Sequence, residues 1–219
     1  SIRTLYLLLL LPFFSWADQW YKGNTHVHTT LCGHADTKPD AVAQWYHDRG
    51  YNFLILSEHN KFIDPKTIKL KGKVRKDFLL VPGEEVTGSK TIHSTAMNVT
   101  RLVPWNFDHQ HRSKIIQKHV DETIKAGGVT ILNHPNFGWA VQAKDMLPVK
   151  KLYMFELYNG HPSVRNFGDP RHPSTEQLWD DLLTQGMTIF GVGSDDAHHF
   201  ADWAPKKSNP GRGWVMVHA

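Results

Sequence analysis

The chain has 219 residues, of which 40% are hydrophobic and 21% are charged. This ordinary globular composition excludes a disordered chain, a collagen-like repeat and a membrane protein with many spans, and the length predicts one domain or at most two. The net charge of +4 is mild and the basic residues are scattered, so we expect a small anionic substrate rather than a nucleic acid as the binding partner.

Histidine is the residue type that stands out, with 15 His beside a single Cys. Structural zinc sites commonly use Cys, and a disulfide scaffold needs several. The composition therefore favours a metal site built from His and carboxylate side chains. The alternative is that histidines are simply common on the surface of this protein, and their positions in the chain must decide.

Residues 1–17 have the three-part pattern of a secretory signal peptide. Arg3 precedes an apolar run over residues 5–14, and Ser15 and Ala17 occupy the small-residue positions of a cleavage site. The run is too short to cross a bilayer as a helix, and an N-terminal core helix is the alternative. The pattern predicts a mature domain of residues 18–219 that is periplasmic or secreted, with no membrane anchor after cleavage. In that compartment the lone Cys32 could form no internal disulfide.

Apolar strands alternate with helices along the mature chain. The predicted strands are 51–57, 77–81, 95–99, 129–132, 152–157 and 187–192. The predicted helices are 40–49 after Pro39, 113–126, and a helix through Thr184 that begins with a Ser174–Gln177 capping box. Such alternation is typical of an α/β fold with a mostly parallel sheet or an α/β barrel. A last strand is expected within 213–219, and we expect further barrel elements to lie beyond it.

Polar side chains follow or precede nearly every predicted strand. They are His26, His28, Glu58, His59, Glu84, Glu85, His93, Asn133, His134, Asn159, Asp195, Asp196 and His198. In a barrel of parallel strands the carboxyl ends of the strands gather on one face, so these residues would converge in one pocket. Each motif alone is weak evidence, since a single loop histidine is often structural. Together they predict a metal site, because so many buried imidazoles and carboxylates need cations to bind.

These motifs resemble the PHP (polymerase and histidinol phosphatase) family of metal-dependent phosphoesterases. The matching segments are HVHTTLCGH (26–34), ILSEHN (55–60), PGEEV (82–86), His93, NHP (133–135) and GSDDAH (193–198). The bacterial branch that includes carbaryl hydrolase-like metallohydrolases looks most similar, through CGH, EHN, YNG, DDAH and PGRGWV. The resemblance implies a distorted, seven-stranded (βα) barrel of the TIM-like type with a centre of two or three metals.

The resemblance also implies which residues hold the metals. One metal would be held by His26, His28, Glu85 and Asp196, a second by Glu85, His93 and His134, and a third by His34, His59 and His198. Glu85 is preferred over Glu84, and Asp196 over Asp195, because the family patterns are Gly-x-Glu and Asp-x-His. Glu85, Asp196 and His198 would act in catalysis.

Two positions depart from the family pattern. Glu58 stands where the family usually has Asp, and we expect its longer side chain to orient His59. Cys32 stands where a small residue is usual, and we expect it to fill space in the loop, with metal ligation as the alternative.

The expected reaction is hydrolysis by water that two or three divalent metals activate, zinc first and manganese or iron as alternatives. The preferred substrate is a phosphomonoester or phosphodiester, and a carbamate or carboxylic ester is the alternative. A non-catalytic metal-binding accessory domain is a third possibility. The candidate substrate-binding residues are Asn159, Asn60 and Lys61.

Overall fold

The structure is a computed structural model that describes residues 19–219. The predicted signal peptide, residues 1–17, lies outside the described residues. Within the described part of the chain, no helix combines the length and the apolar character that a membrane span requires.

The described residues form nine strands and five α-helices. The strands are β1 (Trp20–Asn24), β2 (Phe53–Ile55), β3 (Leu79–Val81), β4 (Gly83–Thr87), β5 (His93–Met97), β6 (Val129–Leu132), β7 (Met154–Asn159), β8 (Phe190–Ser194) and β9 (Val215–His218). The helices are α1 (Pro39–His47), α2 (Val74–Asp77), α3 (Arg112–Lys125), α4 (Ala143–Met146) and α5 (Thr175–Thr184).

The predicted helix signals act as expected. Pro39 is the first residue of α1, where its missing N–H costs no hydrogen bond. The Ser174 hydroxyl accepts from the Gln177 N–H, and the Gln177 side chain accepts from the Ser174 N–H, so the capping box of α5 is confirmed. Gly127, at φ +91°, lies just past the end of α3 in a conformation that favours glycine.

The strands form two sheets. The first has the order β3-β2-β1-β9, in which β9 is antiparallel to β1 and the other pairs are parallel. The second has the order β4-β5-β6-β7-β8, and it is antiparallel from β4 to β6 and parallel from β6 to β8. The α/β class is therefore confirmed, with more antiparallel pairing than the sequence pattern suggests.

The seven-stranded barrel that the resemblance implies is not observed as a closed sheet. The two sheets approach each other through isolated bridges, Val27 with Ala197 on one side and His59 with Glu85 on the other. Their strand ends thereby face a common space, although no continuous ladder joins the sheets among the described residues.

Strands β1 and β4 were not predicted from the sequence, which indicates only that Glu84 and Glu85 follow the strand 77–81. Gly83 begins β4 at a point of close approach. A Cβ atom there would lie 2.8 Å from the carbonyl oxygen of Ala96 and 2.8 Å from Cγ2 of Ile55. Glycine thus lets β4 lie against both β5 and β2, and this places the next two residues, Glu84 and Glu85, on opposite faces of a strand.

Two of the three hydrophobic cores among the described residues pack helices against the sheets. One lies between the second sheet and the helices α3, α4 and α5, around Ile116, Leu132 and Phe155. The other packs α1 against the first sheet around Tyr46 and Leu54. Both cores leave the space between the strand ends to polar side chains.

Candidate metal centre

The histidines and acids at the strand ends converge. His26 and His28 follow β1, His59 follows β2, Glu85 lies in β4, His93 begins β5, His134 follows β6, and Asp196 and His198 follow β8. His34 comes from the loop after the short 3₁₀ helix Thr30–Cys32. All nine predicted metal ligands therefore surround one site.

Glu85 is the centre of this cluster. Its carboxylate is buried, and five imidazole rings direct a nitrogen toward it. Oε1 lies 3.2 Å from His93 Nδ1, 3.2 Å from His134 Nε2 and 3.4 Å from His26 Nε2, and Oε2 lies 2.7 Å from His59 Nδ1 and 3.4 Å from His28 Nε2. A carboxylate in this position can bridge two cations.

Asp196 supplies the second carboxylate. Its Oδ1 lies 3.3 Å from His26 Nε2 and 3.4 Å from His28 Nε2, and those two nitrogens are themselves 3.1 Å apart. The backbone at Asp196 has φ +48° and that at His134 has φ +24°, values that L-residues seldom adopt. Strained backbone of this kind concentrates at functional sites.

The remaining imidazoles form an outer group beside His28. The His198 ring stacks on the His28 ring with centroids 4.1 Å apart, and the His59 ring does so at 4.5 Å. The His34 ring lies 4.6 Å from His198 and 5.1 Å from His59. These rings line the open side of the site, whereas His26 and His28 lie at its floor.

The donor atoms group somewhat differently from the partition that the resemblance implies. Sets whose donor atoms lie within 4.8 Å of one another include His26–His28–Asp196, His26–Glu85–His134, His28–His59–His198 and Cys32–His34–His198. In these sets His28 joins His59 and His198, and His34 joins Cys32 and His198. Cys32 is half-buried, and its thiol donates to the carbonyl of Thr29 at 3.2 Å, so the loop-filling role and the ligand role both fit the geometry.

The donor set suits divalent cations. His28 Nδ1 and His134 Nδ1 are buried atoms without a hydrogen-bond partner, and Glu85 Oε2 accepts no hydrogen bond of regular geometry although His59 Nδ1 lies 2.7 Å away. Buried polar atoms in this state are rare. The rings of His93 and His134 form hydrogen bonds with Glu85 at 3.2 Å, whereas those of His26, His28 and His59 approach it without regular hydrogen-bond geometry. Imidazole and carboxylate ligands together fit zinc, manganese or iron.

The electrostatics of the cluster favour positive charge. Burial opposes protonation of His26, but Asp196, Glu85 and Glu156 outweigh it and raise the pKa of His26 well above its usual value. Burial likewise opposes ionisation of Glu85, but His26 and His93 hold the pKa of Glu85 well below its usual range. The buried carboxylates therefore stay ionised, and they require either protons on the imidazoles or cations in their place.

Glu156 is a residue of the site that the sequence analysis missed. It lies in β7, is buried, and accepts at 2.7 Å from Nδ1 of His26 and at 2.7 Å from the N–H of His134. Ser194 and Asn159 donate to it as well, at 2.5 Å and 2.8 Å. The available signal was a single acid within the otherwise apolar run LYMFEL, which suggests that its charge has a buried partner.

The three candidate substrate-binding residues lie at different depths. Asn159 is buried, and its amide donates to Glu156 and, at 3.2 Å, to Oδ2 of Asp196. The Asn60 amide exchanges two hydrogen bonds with the backbone of Thr87, and the Lys61 ammonium donates to the carbonyl of Leu31 at 3.5 Å. Asn159 and Asn60 thus hold the frame of the site, and Lys61 lies outside its cavity.

Glu58 does not orient His59, contrary to expectation. Its Oε1 accepts from the N–H of Thr29 at 2.9 Å and from the Thr29 hydroxyl, and its Oε2 lies 3.8 Å from Nδ1 of His28. The side chain of Glu58 turns away from His59 because neighbouring residues of an extended chain face opposite sides. Thr87 and Glu85 contact His59 instead.

In the PGEEV and GSDDAH motifs, the two neighbouring acids also point to opposite sides of the chain. Glu84 points away from the cluster, and its Oε1 accepts from the N–H of Val103 at 2.6 Å. Asp195 accepts from the Tyr46 hydroxyl at 2.6 Å and from the backbone of residues 211–213. Each of these acids organises a loop, while its neighbour faces the imidazoles.

An open cavity of about 260 Å³ lies over the cluster. Seven of the predicted ligands reach its wall, and the other wall residues were not predicted. The latter are Phe137, His161, Val164 and His199. No lysine or arginine of residues 19–219 lines this cavity.

Comparison with known proteins gives a likeness at the level of the fold. No family model matches the chain, and no curated protein matches it significantly. A two-domain protein from Bacteroides vulgatus ATCC 8482, containing a predicted PHP-like metal-dependent phosphoesterase, superimposes with a TM-score of 0.57 at 16% identity over 83% of this chain and 53% of that one. An inferred metal-dependent phosphoesterase from Bifidobacterium adolescentis ATCC 15703 superimposes with a TM-score of 0.59 at 10% identity over 87% of this chain and 91% of that one.

The extent of the match differs between the two structures. The chain spans about half the length of the Bacteroides protein and most of the length of the Bifidobacterium protein. At these identities the likeness concerns the fold. The chain shares its fold with proteins described as metal-dependent phosphoesterases, one of them PHP-like.

Proposed function

We propose that the protein is a metal-dependent hydrolase of the PHP type that cleaves phosphoesters. One observation carries the proposal: the buried Glu85 carboxylate lies within 2.7 to 3.4 Å of five imidazole nitrogens, beneath an open cavity. The order of the motifs in the sequence and the shared fold support the same family. The carbaryl hydrolase-like branch rests on the motifs alone.

The inner donors would hold two divalent cations with Glu85 between them. His26, His28 and Asp196 belong to one side and His93 and His134 to the other. His34, His59 and His198 supply donors for a third. When bound, neighbouring divalent cations lower the pKa of water and neutralise charge on the oxygens of an ester. Zinc is the first choice among the metals, with manganese and iron as alternatives.

The residues of the chain then have separate tasks. Glu85 and Asp196 supply the negative charge that balances the cations, and Glu156 fixes His26 through Nδ1 so that Nε2 faces the centre. His198 lies on the wall of the cavity, where it would contact a substrate. The small volume of the cavity selects a small substrate or the end of a larger one.

One observation favours a second candidate, hydrolysis of an uncharged carbamate or carboxylic ester. Dianionic phosphate groups are commonly held by Arg or Lys, and no side chain of either type lines the cavity in the described part of the chain. A non-catalytic role fits less well, because the full set of donors opens onto a cavity. We further propose that the protein works in the periplasm or outside the cell, on a small substrate rather than a nucleic acid.

A substrate panel on metal-loaded protein tests the proposal. We expect two or three metal equivalents per chain by elemental analysis, with hydrolysis of bis(4-nitrophenyl) phosphate or 4-nitrophenyl phosphate. Glu85→Gln is the inactive control and should bind less metal. Cleavage of 4-nitrophenyl acetate or an aryl carbamate without any phosphoester would favour the second candidate. Bound metal without hydrolysis of any of these substrates would contradict an enzymatic role.

A further inference from the structure

His161 is the cavity residue with the clearest unused chemistry. It comes two residues after Asn159, at the end of β7, and its half-buried ring lines the cavity. The ring lies edge-on to His198, with centroids 5.8 Å apart and an interplanar angle of 80°. It is not one of the nine ligands that the resemblance implies.

The backbone beneath His161 is fixed. The Asn159 Oδ1 accepts from the N–H of His161 at 2.8 Å. Asn159 is itself held by Asn166, which accepts from its N–H at 3.1 Å and donates to its carbonyl at 2.8 Å. The backbone of His161 is therefore anchored to the same residue that supports Glu156 and Asp196.

One hydrogen bond sets the tautomer of His161. The N–H of Ser163 donates to Nδ1 of the ring at 3.1 Å, so Nδ1 must present a lone pair. In an imidazole with a lone pair on Nδ1, the proton resides on Nε2. Nε2–H is thus a fixed donor, and no side chain or backbone group of residues 19–219 accepts from it.

The other donors of the cavity have different tasks. His34, His59, His93, His134 and His198 face the carboxylates or one another as candidate ligands, and Nδ1 of His199 pairs with the Ser208 hydroxyl at 3.1 Å. Since lysine and arginine are missing from the wall in the described residues, a ligand in the cavity finds few donors apart from bound cations.

We propose that His161 binds the substrate, donating a hydrogen bond from Nε2 to a non-bridging oxygen of the phosphoryl group. This rests on the proposed phosphoesterase function. A donor of fixed orientation stabilises negative charge on that oxygen. Because the ring is neutral, it carries no extra proton that the binding of cations would drive off. It also explains how a cavity wall without a cationic side chain can hold a phosphoester.

Inorganic phosphate, the product of monoester cleavage, is the probe for this donor. Isothermal titration calorimetry is carried out with metal-loaded wild type, His161→Phe and His161→Gln, with His111→Gln as the control on an exposed histidine. We expect His161→Phe to weaken phosphate binding about 10- to 100-fold, the range for one hydrogen bond to a charged group. His161→Gln, which keeps an N–H donor, should stay within about threefold of wild type, and metal content should be equal in all four proteins.

The outcomes separate this proposal from the proposed function. Unchanged phosphate affinity in His161→Phe, or loss of metal from that variant, overturns the role of His161 even where wild type hydrolyses phosphoesters. A wild type that binds phosphate but hydrolyses no phosphoester contradicts the proposed function and leaves the donor role to be judged by the same titration. A wild type that binds metal but no phosphate overturns the role of His161, and the substrate panel then decides the proposed function separately.

Discussion

Glu156 accepts a hydrogen bond from Nδ1 of His26 at 2.7 Å, and this contact directs the other ring nitrogen of His26 toward Glu85 and Asp196. A carboxylate behind a metal-binding histidine fixes its tautomer and raises the basicity of the ligating nitrogen. Glu156 is buried with His26, and the charged imidazole lowers the pKa of Glu156 despite burial, so the carboxylate is ionised at neutral pH. Strand β7 therefore belongs to the candidate metal centre through Glu156, although it supplies none of the candidate ligands.

Glu156→Gln should therefore weaken metal binding. The amide retains an oxygen that can accept from His26 or His134 but lacks the charge, and loss of such a partner typically lowers metal affinity about 10- to 100-fold. Competition with a chromophoric chelator measures the dissociation constant, and circular dichroism checks the fold. Glu176→Gln is the matched control, since Glu176 is exposed in the first turn of α5. Equal metal affinity in wild type and Glu156→Gln would refute the positioning role.

Glu85→Gln and Glu84→Gln should differ sharply although the residues are neighbours. Glu85 faces five imidazoles, whereas Glu84 accepts from the backbone of Val103 on the other face of β4. We expect Glu85→Gln to abolish hydrolysis and to lose bound metal, because an amide cannot neutralise two cations. Glu84→Gln should keep both. The two variants are compared by elemental analysis and by initial rates, and the reverse pattern would assign the bridging role to Glu84.

Glu84 should make the stability of the protein depend on pH. Burial raises the pKa of Glu84 to about 7 from an ordinary 4.5. Below pH 4.5 the carboxyl is protonated in both the folded and unfolded states and has no effect. Between pH 4.5 and 7 only the unfolded state loses the proton, so the free energy of unfolding falls as pH rises, by about 3 kcal/mol in total at one pKa unit per 1.36 kcal/mol.

The measurement is chemical denaturation of wild type and Glu84→Gln at pH 5 and pH 8. The free energy of unfolding of Glu84→Gln minus that of wild type should be larger at pH 8 than at pH 5, because glutamine does not ionise. Taking the difference cancels the titration of the histidines that the two proteins share. A difference that is the same at both pH values would show that Glu84 ionises normally in the folded state.

The convergence of the histidines and acids could be predicted from the sequence more fully than the pairing of the strands. His26-x-His28 and Asp196-x-His198 can be read directly, because their residue types suit metal binding and the second motif follows the apolar run 187–192. Strand β4 could not be read, since Pro82 and Gly83 resemble a turn and the strand is short. The separation into two sheets depends on long-range pairing such as Trp20 with His218, which local patterns do not encode.

The roles of individual acids depended on the direction in which each side chain points. Glu58 was expected beside His59, yet the two residues face opposite ways, and Glu58 binds Thr29. Glu156 was hidden because a lone acid in an apolar strand gives no motif. In both cases the chemistry of the residue was visible in the sequence, but its partner lay in a distant part of the chain.

Removal of the metals should lower the stability of the folded protein. Buried ionised carboxylates without cations must be balanced by protons on His26 and its neighbours, and a ligand that binds only the folded state stabilises it. We expect the melting temperature at pH 7.5 to fall on treatment with EDTA and to recover when zinc or manganese is added in excess. Calcium, which prefers oxygen ligands, serves as the control and should not restore it. An identical melting temperature with and without chelator would argue against a centre of two or three metals.

The last prediction concerns how the metals divide among the ligands. The His26 side chain is fully buried between Glu85, Glu156 and Asp196, whereas 29% of the His59 side chain is exposed, at the open side of the site. His59→Ala should remove about one metal equivalent and slow turnover while the inner metals stay bound. His26→Ala should cost more activity and more metal, because it leaves carboxylates buried without their imidazole partner.

Loss of one partner from a buried ion pair costs about 3–5 kcal/mol, so His26→Asn, which retains a donor toward Glu156, separates metal binding from folding. Metal stoichiometry and kinetics of the three variants are measured side by side. If His59→Ala strips every metal, or if His26→Asn keeps full metal content and rate, the division into an inner and an outer group of ligands is wrong.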